Sequence, residues 1–113
     1  MPLVSFVQEG AAVDYTPGGD LAAGDVVVQG DLVGVTKRAV PANTLGALHV
    51  EGVFDFPKAT GGGSAIGVGL DVYWDVAEAV AKTDDEAGAN KRIGKTVAAA
   101  GDSDALVRVR LSQ

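Results

Sequence analysis

The stretch Ala89-Asn90-Lys91-Arg92-Ile93-Gly94-Lys95-Thr96 comes closest in this sequence to a reactive motif: it fits a phosphate-binding loop if alanine is allowed at the first glycine. Such a loop presents backbone N–H groups and the start of a helix to the phosphates, so it needs a buried strand before it and a helix after it. Upstream lies the acidic turn Thr83-Asp84-Asp85-Glu86-Ala87-Gly88, which repels a nucleotide, and downstream only Val97-Ala98-Ala99-Ala100 precede the helix breaker Gly101. The residues therefore read as a strand with Lys91, Lys95 and Thr96 on its solvent side, and a small nucleotide-binding protein ranks last among the functions considered.

Other reactive patterns fall short in the same way. Gly62-Gly63-Ser64-Ala65-Ile66 misses the nucleophile-elbow pattern at its last position, and His49, the one histidine, would have to be its base; a mobile glycine loop is expected instead. Asp84-Asp85-Glu86 and Asp102-Ser103-Asp104 offer hard-cation oxygens but lack the spaced ligands of a calcium loop, and read as solvated turns. His49, within Leu48-His49-Val50, has no visible co-ligand and reads as a strand side chain. The absence of cysteine removes disulfides, thiol nucleophiles and thiolate metal sites together. No catalytic, cofactor-binding or metal residue is assigned, and no enzyme is expected.

The elements that would carry any site are short strands. Val26 to Gln29 and Leu32 to Thr36 are β-branched runs separated by Gly30-Asp31, a pair suited to a two-residue hairpin. Leu106-Val107-Arg108-Val109-Arg110-Leu111 alternates strictly, placing Val107, Val109 and Leu111 on one face and both arginines on the other. Further strands are expected over Val4 to Val7, Val13 to Tyr15, His49 to Phe56, Leu70 to Trp74 and Arg92 to Val97. Val76 to Lys82 is ambiguous between helix and strand, with a short extended segment or a single turn preferred. Of the adjacent pair Tyr73 and Trp74, one must point in and one out; Trp74 as core and Tyr73 as rim or interface is plausible, and the reverse parity is also open. Many short strands with glycine turns suggest an all-β fold with little or no helix, a small antiparallel barrel or sandwich.

Composition sets the limits. The 113 residues make one domain, 1–113, and Gly supplies 16 of them while aromatics reach only 5%, so bulky core anchors are scarce. A formal charge of -6 repels phosphate backbones, which argues against a nucleic-acid partner. No apolar run nears the roughly 18 residues of a membrane span, and Met1 to Gly10 lacks the basic region of a signal peptide, so synthesis in the cytoplasm and solubility are expected.

Taken in order, Phe6-Val7-Gln8-Glu9-Gly10, Ala23-Gly24-Asp25-Val26-Val27, Gly34-Val35, Gly52-Val53-Phe54-Asp55-Phe56-Pro57-Lys58, Val72-Tyr73-Trp74-Asp75, Ile93-Gly94 and Val107-Arg108-Val109-Arg110-Leu111 resemble one family. It is the capsid cement, or head decoration, family of tailed phages and prophages. The resemblance spans nearly the whole chain, and Gly-Val-Phe-Asp-x-Pro with Val-Tyr-Trp-Asp carries most of its weight. Members are often labelled predicted recombinases, a label that a short strand-rich chain without a nucleotide-binding α/β core does not support.

The resemblance implies an all-β structural virion protein made in the host bacterial cytoplasm. It would sit on the outer capsid surface as a homo-oligomer, a trimer by preference, and grip neighbouring major capsid subunits of the expanded head. Its partners would be the major capsid protein and itself, with no cofactor, nucleic acid or membrane. The rival reading from a different class is a surface-displayed adhesion module, against which the scarcity of aromatics for sugar stacking counts. Interface candidates are Leu3, Val4, Phe6 and Tyr73. The uncharged segment 1–6 reads either as the first strand of the domain or as an amino-terminal arm that adds to a neighbour.

Overall fold

The alternating segment forms the strand that the rest is built on. In a computed structural model describing residues 3–5 and 10–113, Val107, Val109 and Leu111 are at most 1% exposed while Arg108 and Arg110 face solvent. In chain order the strands are β1 (Ala12–Tyr15), β2 (Val26–Gln29), β3 (Leu32–Val35), β4 (Gly46–His49), β5 (Gly52–Pro57), β6 (Asp71–Asp75), β7 (Val80–Lys82), β8 (Lys91–Thr96) and β9 (Leu106–Leu111). A single 3₁₀ turn, Glu86–Gly88, precedes β8. They form two antiparallel sheets, ordered β1-β4-β3-β2 and β5-β9-β8-β6-β7, that are not closed into a barrel. Of the two expected all-β architectures the chain therefore takes the sandwich.

The hairpin forms as expected, with Gln29 opposite Leu32 and Gly30 at φ +63°, the sign that the first residue of a II′ turn requires. The ambiguous segment resolves into a turn followed by β7. Asp75 Oδ1 accepts the Glu78 N–H at 3.0 Å, the Asp75 carbonyl accepts the Ala79 N–H at 2.8 Å, and Val80 then pairs back onto Asp75. The expected continuous strand from His49 to Phe56 is instead two strands in different sheets, broken at Val50-Glu51. Gly52, at φ +126°, turns the chain from one sheet to the other, a backbone state that apolar patterning does not reveal.

That early departure leaves β3 paired with β4 at one position only, Val35 opposite His49. The carboxamide of Gln113 takes the missing strand's place. Its Oε1 accepts the Val33 N–H at 2.7 Å and its Nε2 donates to the Val33 carbonyl at 2.6 Å. Val33 is fully buried, so these backbone groups would otherwise lie without partners away from water.

The core lies mainly inside the larger sheet. Phe56, Ile66, Val72, Trp74, Ile93, Val107, Val109 and Leu111 cluster there with Val35 from the smaller sheet. Trp74 points in and Tyr73, half-buried, points out, one of the two parities left open from sequence. Val33, Val40 and Leu48 are buried apart from that cluster. The expected strand over Val4 to Val7 does not begin where it was placed: Val4 and Ser5 are irregular, and Leu3 and Val4 face solvent rather than the core. Phe6 and Val7 lie outside the described residues. Among the described residues no strand pairs with Leu3 to Ser5.

Two glycines in strands fix how closely the chain packs. A β-carbon on Gly94 would stand 1.9 Å from the Arg110 carbonyl oxygen, a backbone atom that cannot swing aside. Gly34 yields its space to Leu48, whose Cγ would be 2.2 Å from such an atom. Beside Gly94 the register between β6 and β8 slips, Val72 facing Gly94 but Tyr73 facing Arg92, so Ile93 is the extra residue of a bulge. Gly94→Ala should cost about 3 kcal/mol or more, because the overpacking falls on main chain. Gly62→Ala, with open space around it, should stay within about 0.5 kcal/mol. Urea unfolding of the two variants checks this, and equal midpoints would contradict the close approach.

Candidate functional site

The phosphate-loop candidate is a strand. Lys91 to Thr96 form β8, and a turn rather than a helix follows. Lys91 Nζ pairs with Asp31 of the β2–β3 turn at 2.9 Å, tying the smaller sheet to the larger, and Lys95 Nζ pairs with Asp71 at 2.9 Å. Thr96 corrects the sequence reading. It neighbours Lys95 on a strand, so it must face the opposite way, and it is 2% exposed; its hydroxyl donates to the Gly67 carbonyl and accepts the Leu70 N–H.

The glycine loop expected to be mobile is pinned. Ser64 Oγ donates to the Gly61 and Asp102 carbonyls, Asp102 Oδ1 accepts the Ala65 N–H at 2.8 Å, and Ile66 bridges to Ala100. At the centre of this knot is Lys58, only 5% exposed, donating to the Ala59 and Asp104 carbonyls at 2.7 and 3.0 Å and to Ser64 Oγ at 3.4 Å. Its role escaped sequence reasoning because lysine normally stays at the surface. The Pro57-Lys58 pair at the strand's end was the available signal.

Glu86, from one of the two acidic turns, joins Asp75 and Glu78 within reach of a common point. The ammonium of Lys82 occupies it, 2.9 Å from Asp75, 3.6 Å from Glu86 and hydrogen-bonded to Glu78. The Glu78 backbone N–H and then Lys82 hold the Asp75 carboxyl well below the usual aspartate range, and the two carboxylates in turn raise Lys82. His49, half-buried at the end of β4, is lowered by burial and by the nearby Lys37 charge.

The outer face of the larger sheet is open to solvent. Across it run Val53, Asp55 and Pro57 of β5, Leu106, Arg108 and Arg110 of β9, Lys95 and Val97 of and beside β8, and Asp71 and Tyr73 of β6. Arg108 binds Asp55 through both Nε and Nη2, at 3.0 and 3.2 Å, while Arg92 and Lys95 converge on Asp71. Arg110 stands opposite Lys95 and has no ion-pair partner among the described residues. Four cations thus meet two carboxylates on this face, although the chain as a whole carries -6. Val53, Leu106 and Val97 are each about half exposed between them. Of the interface candidates, Tyr73 lies on this face, Leu3 and Val4 are 98% and 86% exposed elsewhere along the chain, and Phe6 lies outside the described residues.

Two outcomes are expected from these networks. Lys91, Arg108, Lys95 with Arg92, and the Glu78 N–H with Lys82 hold Asp31, Asp55, Asp71 and Asp75 respectively below the ordinary aspartate range. A depressed folded value adds stability above the unfolded pKa, and that stability is lost as pH falls through the folded value. The melting temperature should therefore drop steeply below about pH 4, and less steeply in Asp75→Asn; identical pH profiles would contradict the assigned role. Lys58→Met should destabilise by about 1 kcal/mol in urea by removing the donor to two partly buried carbonyls, and no loss of stability would contradict it.

A family model described as phage cement protein matches residues 7–111, nearly all of the chain. Neither the curated proteins nor the solved structures contain a match. Among the described residues no helix is long and apolar enough to cross a membrane. The all-β fold matches what the resemblance implied; the Gly-Val-Phe-Asp-x-Pro strand lies at one edge of the larger sheet and the Val-Tyr-Trp-Asp strand in its interior. The chain belongs to the phage cement protein family, whose role in the phage capsid is structural.

Proposed function

We propose that the chain, acting as one domain, attaches to the outer surface of an expanded phage head as a homo-oligomer, a trimer by preference, and stiffens the shell by gripping neighbouring major capsid subunits. Synthesis in the host cytoplasm precedes attachment. The observation that carries this reading is the outer face of the larger sheet, where exposed Val53, Val97 and Leu106 alternate with a surplus of cations on an otherwise acidic chain. A two-sided sheet held by β9 is a stiff platform, and apolar side chains within a charged surround are the usual composition of a protein-binding patch. The surplus charge steers the face toward acidic protein surface. Nucleic acid is not the partner, because the net charge opposes approach to phosphate.

Repetition supplies strength that one contact lacks. Each subunit bound next to another holds its neighbour in place, so modest local affinity becomes firm attachment over the shell.

Purified chain added to expanded, undecorated heads should bind to saturation, and light scattering of the free chain should give three times the 11.4 kDa subunit mass. Val53→Asp with Leu106→Asp, at exposed positions, should leave the circular dichroism unchanged and lower occupancy on heads at least tenfold. Undiminished occupancy would overturn this docking face, and binding to glycans with none to heads would favour the adhesion reading.

A further inference from the structure

Strands β3 and β4 part after a single pair. His49 faces Val35, and the register would next set Ala47 against Lys37, but no pair forms there. The chain beyond β3 turns instead to Leu21, with which Val40 exchanges both main-chain bonds, at 2.9 and 2.8 Å. A fork is left between the two strands. Thr36 bonds on its other side to Gly24 and Asp25, and Val50 N–H bonds to the Ala11 carbonyl, so alternation turns the main-chain groups of Lys37 and Ala47 into the fork. Neither residue's N–H or carbonyl has a hydrogen-bond partner among the described residues.

The fork opens into a cleft of about 560 Å³, a size that suits a ligand site, whose walls include Lys37, Arg38, Val40, Leu45, Ala47 and His49 and hold no carboxylate. Three basic side chains thus share one hollow. Neither Lys37 nor Arg38 has an ion-pair partner among the described residues, although the chain holds 15 acidic residues to nine Lys and Arg. Leu45, 66% exposed, leaves an apolar wall beside them uncovered.

Cations without counter-ions select carboxylates, and a guanidinium such as that of Arg38 can take one through two parallel N–H bonds. The main chain adds a second requirement. A free anion such as sulfate accepts from the Ala47 N–H but offers its carbonyl no donor, whereas a peptide backbone in strand geometry supplies both. The exposed leucine suits a segment with apolar residues among its acids.

We propose that the fork receives an extended acidic segment of a partner protein, its main chain paired with Ala47 and its carboxylates on Lys37 and Arg38. The cleft shares no residue with the outer face of the larger sheet, so it is a second point of attachment and stands or falls apart from the docking face assigned above.

NMR titration of the full chain at neutral pH with a capped peptide Glu-Val-Glu-Val-Glu tests it, with Lys-Val-Lys-Val-Lys and sodium sulfate as comparisons. The acidic peptide should shift the Lys37 and Ala47 amides and, at saturation, slow exchange of the Ala47 amide by about tenfold or more. It should also raise the pKa of His49, the one histidine, which burial and the Lys37 charge hold below its usual value in the free chain. Lys37→Glu with Arg38→Glu, both at exposed positions, should keep the circular dichroism and weaken acidic-peptide binding by about tenfold or more. The basic peptide should cause none of these changes. Undiminished binding by the variant, shifts confined to other residues, or no shift up to millimolar acidic peptide overturns the proposal. Sulfate that displaces the peptide, with Ala47 exchange unaltered by either, reduces the cleft to an anion site and overturns the paired segment. An Ala47 amide already protected in the free chain shows the fork closed and overturns it as well.

Discussion

Main chain touches main chain where β8 crosses β9, and the larger sheet depends on that contact. Gly94 admits the Arg110 carbonyl because it has no side chain, and the extra residue Ile93 beside it turns the strand. The bulge keeps Ile93 buried while Arg92 and Lys95 both reach Asp71 on the opposite face. A strand without the bulge would put residues three apart on opposite faces, so the two cations could not share one carboxylate there. The charge pattern of the outer face is thus a product of how closely two backbones pack.

Scarcity of large side chains explains much else. With three phenylalanines and one tryptophan, the chain fills its interior chiefly with valine, and thin side chains leave little room for error in sheet spacing. Polar devices do the remaining positioning: Lys58 gathers three oxygens from the two loops beside it, and Asp75 closes the turn into β7 while also holding Lys82. Lys82 neutralises part of the carboxylate cluster around it, so those acidic groups read as structural.

Local patterns were legible where one physical cause acts alone. Strict alternation identified β9, and β-branched runs around Gly30-Asp31 identified the hairpin, because side-chain parity and turn geometry are properties of neighbouring residues. The division of His49 to Phe56 between two sheets was not legible, since nothing within the segment says which sheet each half joins. Thr96 was misplaced by grouping it with the lysines on composition instead of counting parity from Lys95. Lys58 and Gln113 depend on partners 46 and 80 residues away, and no local pattern signals such a distance. The outer face was foreseen only in part: Tyr73 and the arginines were legible, their convergence with Val53 and Lys95 was not, because it follows from strand order.

The carboxamide that completes β3 has a practical consequence. Gln113 acts as a surrogate strand, its side chain bonded to both backbone groups of a buried valine. Any following segment that draws Gln113 into a helix or a competing strand will loosen the smaller sheet. A flexible glycine-serine spacer beginning at the next position lets the amide keep its grip while the cargo moves freely.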